Sequence, residues 1–354
     1  MTLSLRHHID LLTSPDPVMM VSVAAVKGST PREVGAFMLV TRNRTAGTIG
    51  GGNLEHQVTR RVVDAFAEQL DGKSDTAMLP NGEIVRFPLG PGLGQCCGGS
   101  VEVGFHLLDA GQKADLGDVL SEIASEPVSQ SGRWVMLPVA GDAGGLHIAA
   151  SDSLQAGMLA SGFGTERGGI VTINGAETLC LRLDEALTPM WIFGAGHVGQ
   201  ALVSALAPLP FDVHLIDSRD DYLDRVKGEN LHIHQSDKPQ DEVADIPAGA
   251  HVLILTHNHA LDFDICRAAL MRGDLGFVGM IGSQTKRARF VRRLSDRGLG
   301  AAEIGRLTCP IGIQGITGKQ PVVIAASVAA QVLSVREAQM AQNQTTKAAS
   351  DGVG

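Results

Sequence analysis

Three consecutive glycines, Gly50, Gly51 and Gly52, stand in the stretch GTIGGGNLE at residues 47–55, followed by Asn53 and Glu55. A run without Cβ atoms lets the main chain approach a ligand closely. The apolar run before it, at residues 37–41, reads as a strand. Behind it Leu54, Val58, Val62, Ala65 and Phe66 recur at the spacing of a buried helical stripe. With Asn53 as N-cap, the first-turn N–H groups of that helix form an anion site worth about 0.3–1 kcal/mol per charge. Arg32, in the loop GSTPREVG at residues 28–35, is expected beside it as a planar fork for a phosphate. A tight strand-to-helix turn with no ligand accounts for the same glycines.

A second glycine-rich segment, FPLGPGLGQCCGG at residues 87–99, carries Cys96, Cys97 and Gly98 and leads into the alternating run SVEVGFHLL. On extended chain the two thiols point to opposite faces, so at most one faces a shared pocket. No CxxC or Cys/His grouping accompanies them, which argues against a structural zinc site. The plain alternative is a pair of small, half-buried side chains.

A third glycine pattern lies between the apolar run MWIF and an apolar helix: Gly194, Gly196 and Gly199, with His197 inside the loop. The first glycine permits the turn, the second admits a phosphate, and the third lets helix and strand pack closely. The next strand ends at Asp217, where an acid can take a ribose hydroxyl. Strand, loop, helix and acid together predict a Rossmann-like unit, whose ligand the fold does not dictate. Further strands end at His257-Asn258-His259 and at Gly282-Ser283. Ser283 caps a helix bearing Lys286, Arg287, Arg289, Arg292 and Arg293. Gly194, Asp217, His257 and Ser283 therefore share the carboxyl rim of the sheet, where doubly wound folds bind ligands. The expectation is an anion over Ser283 with Lys286 nearby. Arg292 and Arg293 read as a solvated face. His257 and His259 lack a third ligand, so no metal site is expected.

These sites need two domains. The chain has 354 residues, 44% hydrophobic and 19% charged, enough for a large core in each. The fold class is α/β: an N-terminal α/β domain with glycine-rich loops over residues 1–187, a C-terminal doubly wound parallel sheet over 188–336, and a polar tail over 337–354 expected to be disordered. A net charge of −9 argues against nucleic acid as partner. Five cysteines without framework spacing suit a reduced compartment. Neither a signal-peptide core nor a membrane-length apolar run stands out, so the expected location is the cytoplasm.

Taken in order, GSTPREVGAFMLV at 28–40, GTIGGGNLEHQ at 47–57, LGQCCGG at 93–99, IFGAGHVG at 192–199, THNHALD at 256–262, IGSQTKRARF at 281–290 and CPIG at 309–312 resemble the XdhC/CoxI family of accessory proteins for molybdenum hydroxylases. Residues 110–187 match only loosely. The resemblance implies a non-enzymatic or semi-enzymatic accessory protein that holds molybdenum cofactor (molybdopterin), supports its sulfuration with a cysteine desulfurase, and delivers it to apo-xanthine dehydrogenase. It implies cofactor contacts at Gly50, Gly51, Gly52, Asn53, Glu55 and Arg32, and a soft contact from Cys96 or Cys97 beside Gly98. Many relatives carry Cys where this chain has Asn53, which shifts weight to Cys97. A nucleotide in the Rossmann-like domain and a homodimer complete the expectation. The competing readings are an NAD(P)-dependent oxidoreductase built on Gly194, Gly196, Gly199 and Asp217, and a metal hydrolase built on His257 and His259.

Overall fold

The computed structural model describes residues 2–70, 81–89, 99–125, 132–139, 146–149, 163, 167–184, 187–228 and 231–351. It divides into two compact units, Met1–Ala186 and Leu187–Gly354.

In the first unit, α1 (Thr2–Leu12) precedes β1 (Val18–Lys27), β2 (Phe37–Val40) and β3 (Thr45–Gly47). After α2 (Gly52–Leu70) come β4 (Glu83–Pro88), β5 (Ser100–Leu108) and α3 (Ala110–Ser125). The strands form one antiparallel sheet in the order β3-β2-β1-β5-β4. Strand β1 is apolar from Val18 to Val26 apart from Ser22, because both faces of its first part are covered. Met19, Val21 and Val23 meet the α2 stripe Leu54, Val58, Val62 and Phe66. Val18 and Met20 meet residues of α1 and α3 on the other face. A second antiparallel sheet of β6 (Trp134–Pro138), β7 (His147–Ala149), β8 (Gly168–Ile173) and β9 (Ala176–Arg182) runs in the order β7-β6-β9-β8. Val135, Leu137, Leu179 and Leu181 join it to the same core as α1 and α3.

The second unit alternates strand and helix. Its elements are β10 (Thr188–Phe193), α4 (His197–Leu206), β11 (Phe211–Asp217), α5 (Asp220–Leu223), β12 (Leu231–Gln235), β13 (His251–Ile254), α6 (His259–Met271), β14 (Phe277–Met280), α7 (Gln284–Asp296), α8 (Ala301–Gly305), β15 (Leu307–Thr308) and α9 (Pro321–Asp351). The six strands are parallel in the order β12-β11-β10-β13-β14-β15. This is the doubly wound arrangement, with the strand order reversing between β10 and β13. Alternate β10 residues serve opposite layers: Trp191 and Phe193 pack with α6 and α7, Met190 and Ile192 with α4 and α9. Strands sandwiched this way read as continuous apolar runs, as MWIF and HVLI do.

Two expectations need correction. Residues 337–351, expected to belong to a disordered tail, continue helix α9 to Asp351. Its sequence there is rich in Ala and Gln and lacks Gly and Pro, so the helix propagates. Gln339 anchors it, its Oε1 accepting from His251 Nε2 at 3.0 Å and its amide nitrogen donating to the Gly276 carbonyl at 2.6 Å. Pro321–Gln342 also meets the length and apolarity of a membrane span. In the fold it buries Ala325, Val328, Ala329 and Val332 in the core that α4 shares.

Candidate functional site

In the first unit the triple glycine follows β3, a short strand beyond the one expected at residues 37–41. Gly50, Gly51 and Gly52 all have positive φ, at 125°, 67° and 63°. At Gly50 a Cβ would stand 2.6 Å from Pro31 Cγ and 3.5 Å from Arg32 Cγ, so the loop bearing Arg32 does pack against this strip. At Gly51 a Cβ would meet nothing within 4 Å. The strip is thus open on one side.

Its donors, however, already hold an anion. The Glu55 carboxylate accepts from Gly51 N at 2.9 Å, Ile49 N at 3.3 Å and Thr48 Oγ1 at 2.6 Å. Glu55 was expected to join cofactor binding; it occupies the strip instead. Asn53 is not the residue that caps the helix, since α2 begins at Gly52. Arg32 pairs with its neighbour Glu33 at 3.2 Å and is 34% exposed. The charge of Arg32 holds the Glu33 carboxyl below its usual range against the opposing effect of burial. Cys96, Cys97 and Gly98 lie outside the described residues. The flank at Gly99 packs on the same loop as Pro31 and Arg32, where a Cβ would stand 2.4 Å from the Ser29 carbonyl.

In the second unit the glycine fingerprint has the expected mechanics. A Cβ at Gly194 would stand 2.4 Å from the Leu255 carbonyl, and one at Gly199 2.0 Å from the Gly194 carbonyl, so both are tied to close packing. Gly196 faces open space and caps α4 with no side-chain bond, and His197 beside it is exposed. The Asp217 carboxylate, expected to take a ribose hydroxyl, is bonded within the chain. It accepts from Ala195 N at 2.7 Å and from Arg219 Nε at 2.9 Å and Nη2 at 2.8 Å. Burial opposes ionisation of Asp217, but Arg219 and the Ala195 N–H outweigh it and hold the pKa below its usual value. The space beside Gly194 and Asp217 is about 10 Å³, room for little more than a water.

Next to it, sharing Thr256 and His257, opens a cavity of about 900 Å³. This lies within the range of small-molecule sites. Ser283 caps α7 there, its hydroxyl accepting from Lys286 N at 3.1 Å. Lys286 is not a free cation. Its ammonium donates to Asp262 Oδ2 at 2.7 Å and to the Ile281 carbonyl at 3.0 Å, which leaves one of three donors. Asp262 is 1% exposed and also accepts from Thr256 N at 3.0 Å and Thr256 Oγ1 at 2.7 Å. Arg289 and Arg293 line the same cavity, and Arg293 stacks on Phe263 at 3.8 Å. Arg293 is therefore part of the cleft wall, not only a solvated face. Arg289 has no ion pair among the described residues. The cavity combines a helix N-terminus, two exposed guanidinium groups and the apolar side chains of Ile281 and Phe290. Such a lining suits a phosphate-bearing ligand with a flat apolar body.

The sequence placed Ser283, Lys286 and Arg289 on this helix but did not single out Asp262 or Thr256, which the structure brings beside them. The signal lay in THNHALD, where Asn258 caps α6 by accepting from Ala260 N at 2.8 Å and so places Asp262 in the first turn. No thiol lines the cavity among the described residues. Cys266 and Cys309 are buried nearby. Burial, then Cys309, pushes the Cys266 thiol up to about 12, and burial raises Cys309, so neither is poised as a thiolate.

A protein from Escherichia coli (strain K12) named YqeB, described as uncharacterized, is 23% identical over 327 residues, covering 90% of this chain and 44% of YqeB. The chain thus spans less than half the length of that relative. A crystal structure from Bacillus halodurans described as a xanthine dehydrogenase shares the fold with a TM-score of 0.64 at 21% identity, covering 94% of this chain and 96% of that one. The model of the XdhC and CoxI family matches residues 11–73, and that of the XdhC Rossmann domain matches residues 190–332. These two segments take in the triple-glycine strip and the cleft over Ser283, and the chain belongs to the XdhC and CoxI family.

Proposed function

We propose that this protein is an accessory factor for xanthine dehydrogenase maturation that binds molybdenum cofactor, shelters it during sulfuration by a cysteine desulfurase, and passes it to the apo-enzyme. The reading rests on family membership, and the cleft over Ser283 is the observation that carries it structurally. The cofactor is a phosphate-bearing pterin with a sulfur-ligated metal, and when bound it supplies the redox-active molybdenum centre. The cleft fits its phosphate end. The Ser283-capped N-terminus of α7 and Arg289 bind and orient that phosphate, with the remaining donor of Lys286 in reach. Ile281 and Phe290 exclude water from one wall. The Asp262–Lys286 pair balances the charge of Lys286 within the chain, so the guanidinium groups carry the cleft's positive charge. A soft contact to the metal from Cys97 falls outside the described residues.

The glycine strip is the weaker site because Glu55 competes for its donors. The oxidoreductase reading loses ground too, with Asp217 bound to Arg219 and almost no space beside Gly194.

The test is retention. Purified protein is mixed with molybdenum cofactor, gel-filtered, and assayed for pterin fluorescence after oxidation. Arg289→Gln removes a charged hydrogen bond worth about 1.5–3 kcal/mol, so retention should fall roughly tenfold or more. Equal retention by a folded R289Q protein, or retention of NAD(H) with turnover and no pterin, would overturn the proposal.

A further inference from the structure

Three histidines and an aspartate meet on one face of the parallel sheet, on β11 and the edge strand β12. Asp212 and His214 are two apart on β11, His232 and His234 two apart on β12, so each pair projects to one side. The parallel register sets His214 opposite His232. His232 Nε2 lies 2.9 Å from Asp212 Oδ1, and His214 Nε2 lies 3.3 Å from Asp212 Oδ2. The ligating atoms of Asp212, His214 and His232 all fall within 4.8 Å of one another. Ligands about 2.0–2.2 Å from a tetrahedral zinc ion stand about 3.3 Å apart. The 3.3 Å separation from His214 matches that spacing, and the 2.9 Å one from His232 is a hydrogen-bond length that an ion would open by a few tenths of an ångström.

The surroundings resemble a supported site. His214 Nδ1 lies 2.9 Å from His234 Nε2. A ligating histidine normally gives its second ring N–H to a neighbour that fixes its tautomer and plane, and His234 stands where that neighbour belongs. The indole of Trp191 lies flat under His214, centroids 4.6 Å apart and planes within 3°. His232 is 41% exposed, which leaves an entry path and an open coordination position. Three protein ligands with a fourth position left to water is the pattern of an exchangeable site, not of a closed structural one.

We propose that Asp212, His214 and His232 bind one divalent first-row transition-metal ion of the zinc class, with His234 as a positioning residue acting through His214. Neutral imidazole tautomers suffice for the exchange. Each ligating ring keeps its proton on Nδ1, and that of His214 is accepted by His234 Nε2. The ion clips β12 to β11. The site lies apart from the cleft over Ser283 and does not depend on what that cleft binds.

The experiment uses the untagged full chain, stripped with a chelator and then titrated with zinc and, as a spectroscopic probe, with cobalt. Wild type should retain one zinc per chain after desalting and show tetrahedral cobalt absorption. D212N and H232Q should each weaken zinc binding about tenfold or more, and H234Q should do so with the ligands themselves intact. Circular dichroism confirms that each variant is folded, and the exposed His232 is the substitution least able to disturb the core. The double variant H257A/H259A should bind as wild type does. Failure of the stripped wild type to retain zinc, wild-type affinity in folded D212N and H232Q, or loss of the metal in H257A/H259A would each overturn the proposal.

Discussion

Replacing Lys286 by methionine keeps the length of its side chain and removes its charge. The structure makes this an expensive change although the residue lines a cavity. Asp262 is 1% exposed, and Lys286 lies 2.7 Å from its Oδ2. Removing one partner of a buried pair leaves an uncompensated charge and costs roughly 3–5 kcal/mol. Asp262 keeps two bonds from Thr256 and a first-turn position on α6, which places the cost at the lower end, about 3 kcal/mol. In a unit the size of Leu187–Gly354, each kcal/mol moves Tm by about 2–4 °C, so the expected drop is about 6–12 °C. The chain has two tryptophans, Trp134 in the first unit and Trp191 in the second. A Trp134→Phe background therefore makes fluorescence report the second unit alone. The double variant D262N/K286M should recover most of the loss, because no buried charge is left alone. A single K286M protein within about 0.5 kcal/mol of its parent would refute the reasoning. It would mean that Asp262 is solvated enough to stand by itself and that Lys286 is free to serve a ligand.

Glu55→Gln should destabilise the first unit by about 1–2 kcal/mol, since three donors lose a charged acceptor, and should let inorganic phosphate raise Tm more than it does in wild type. Unchanged phosphate sensitivity in a folded variant would show that the strip does not accept outside anions. His106 is held by burial at a pKa of about 4, against an ordinary 6.5, with Pro138 O 3.1 Å from its Nε2. The unfolded chain binds the proton first, so stability is full above pH 6.5 and is lost as pH falls toward 4, by about 3 kcal/mol in all. Urea denaturation at pH 7 and near pH 4 should show that slope flattened in H106L; an equal slope in both proteins would assign the acid sensitivity elsewhere.

Much of the fold was legible because the signals were local. The stripe Leu54, Val58, Val62 and Phe66 specifies α2 by spacing alone, and all four side chains are buried. The run MWIF, the three glycines and the helix behind them specify one βαβ corner through the backbone limits of glycine and the space a helix needs beside a strand. Short elements were harder. Strand β3 spans three residues, too few for any period to register, yet it decides that the triple glycine leaves a hairpin and not a parallel strand. The end of α9 read as tail because its residues are small and polar. Gln339 ties its start to the sheet by meeting His251, 88 positions apart.

Residue types and short-range spacing alone therefore established the family motifs, the doubly wound second unit and the amphipathic α2, all of which depend on neighbours within a turn or a strand. Which charges are available to a ligand was decided by tertiary structure. Glu55 fills the glycine strip, Arg219 takes Asp217, and Asp262 takes Lys286 across 24 positions. The pairing of DVH on β11 with HIH on β12 likewise gathers Asp212, His214 and His232, whereas the sequence-adjacent His257 and His259 find no third ligand among the described residues. Coulomb attraction and coordination act through space over a few ångströms, and only the folded sheet determines which side chains come that close.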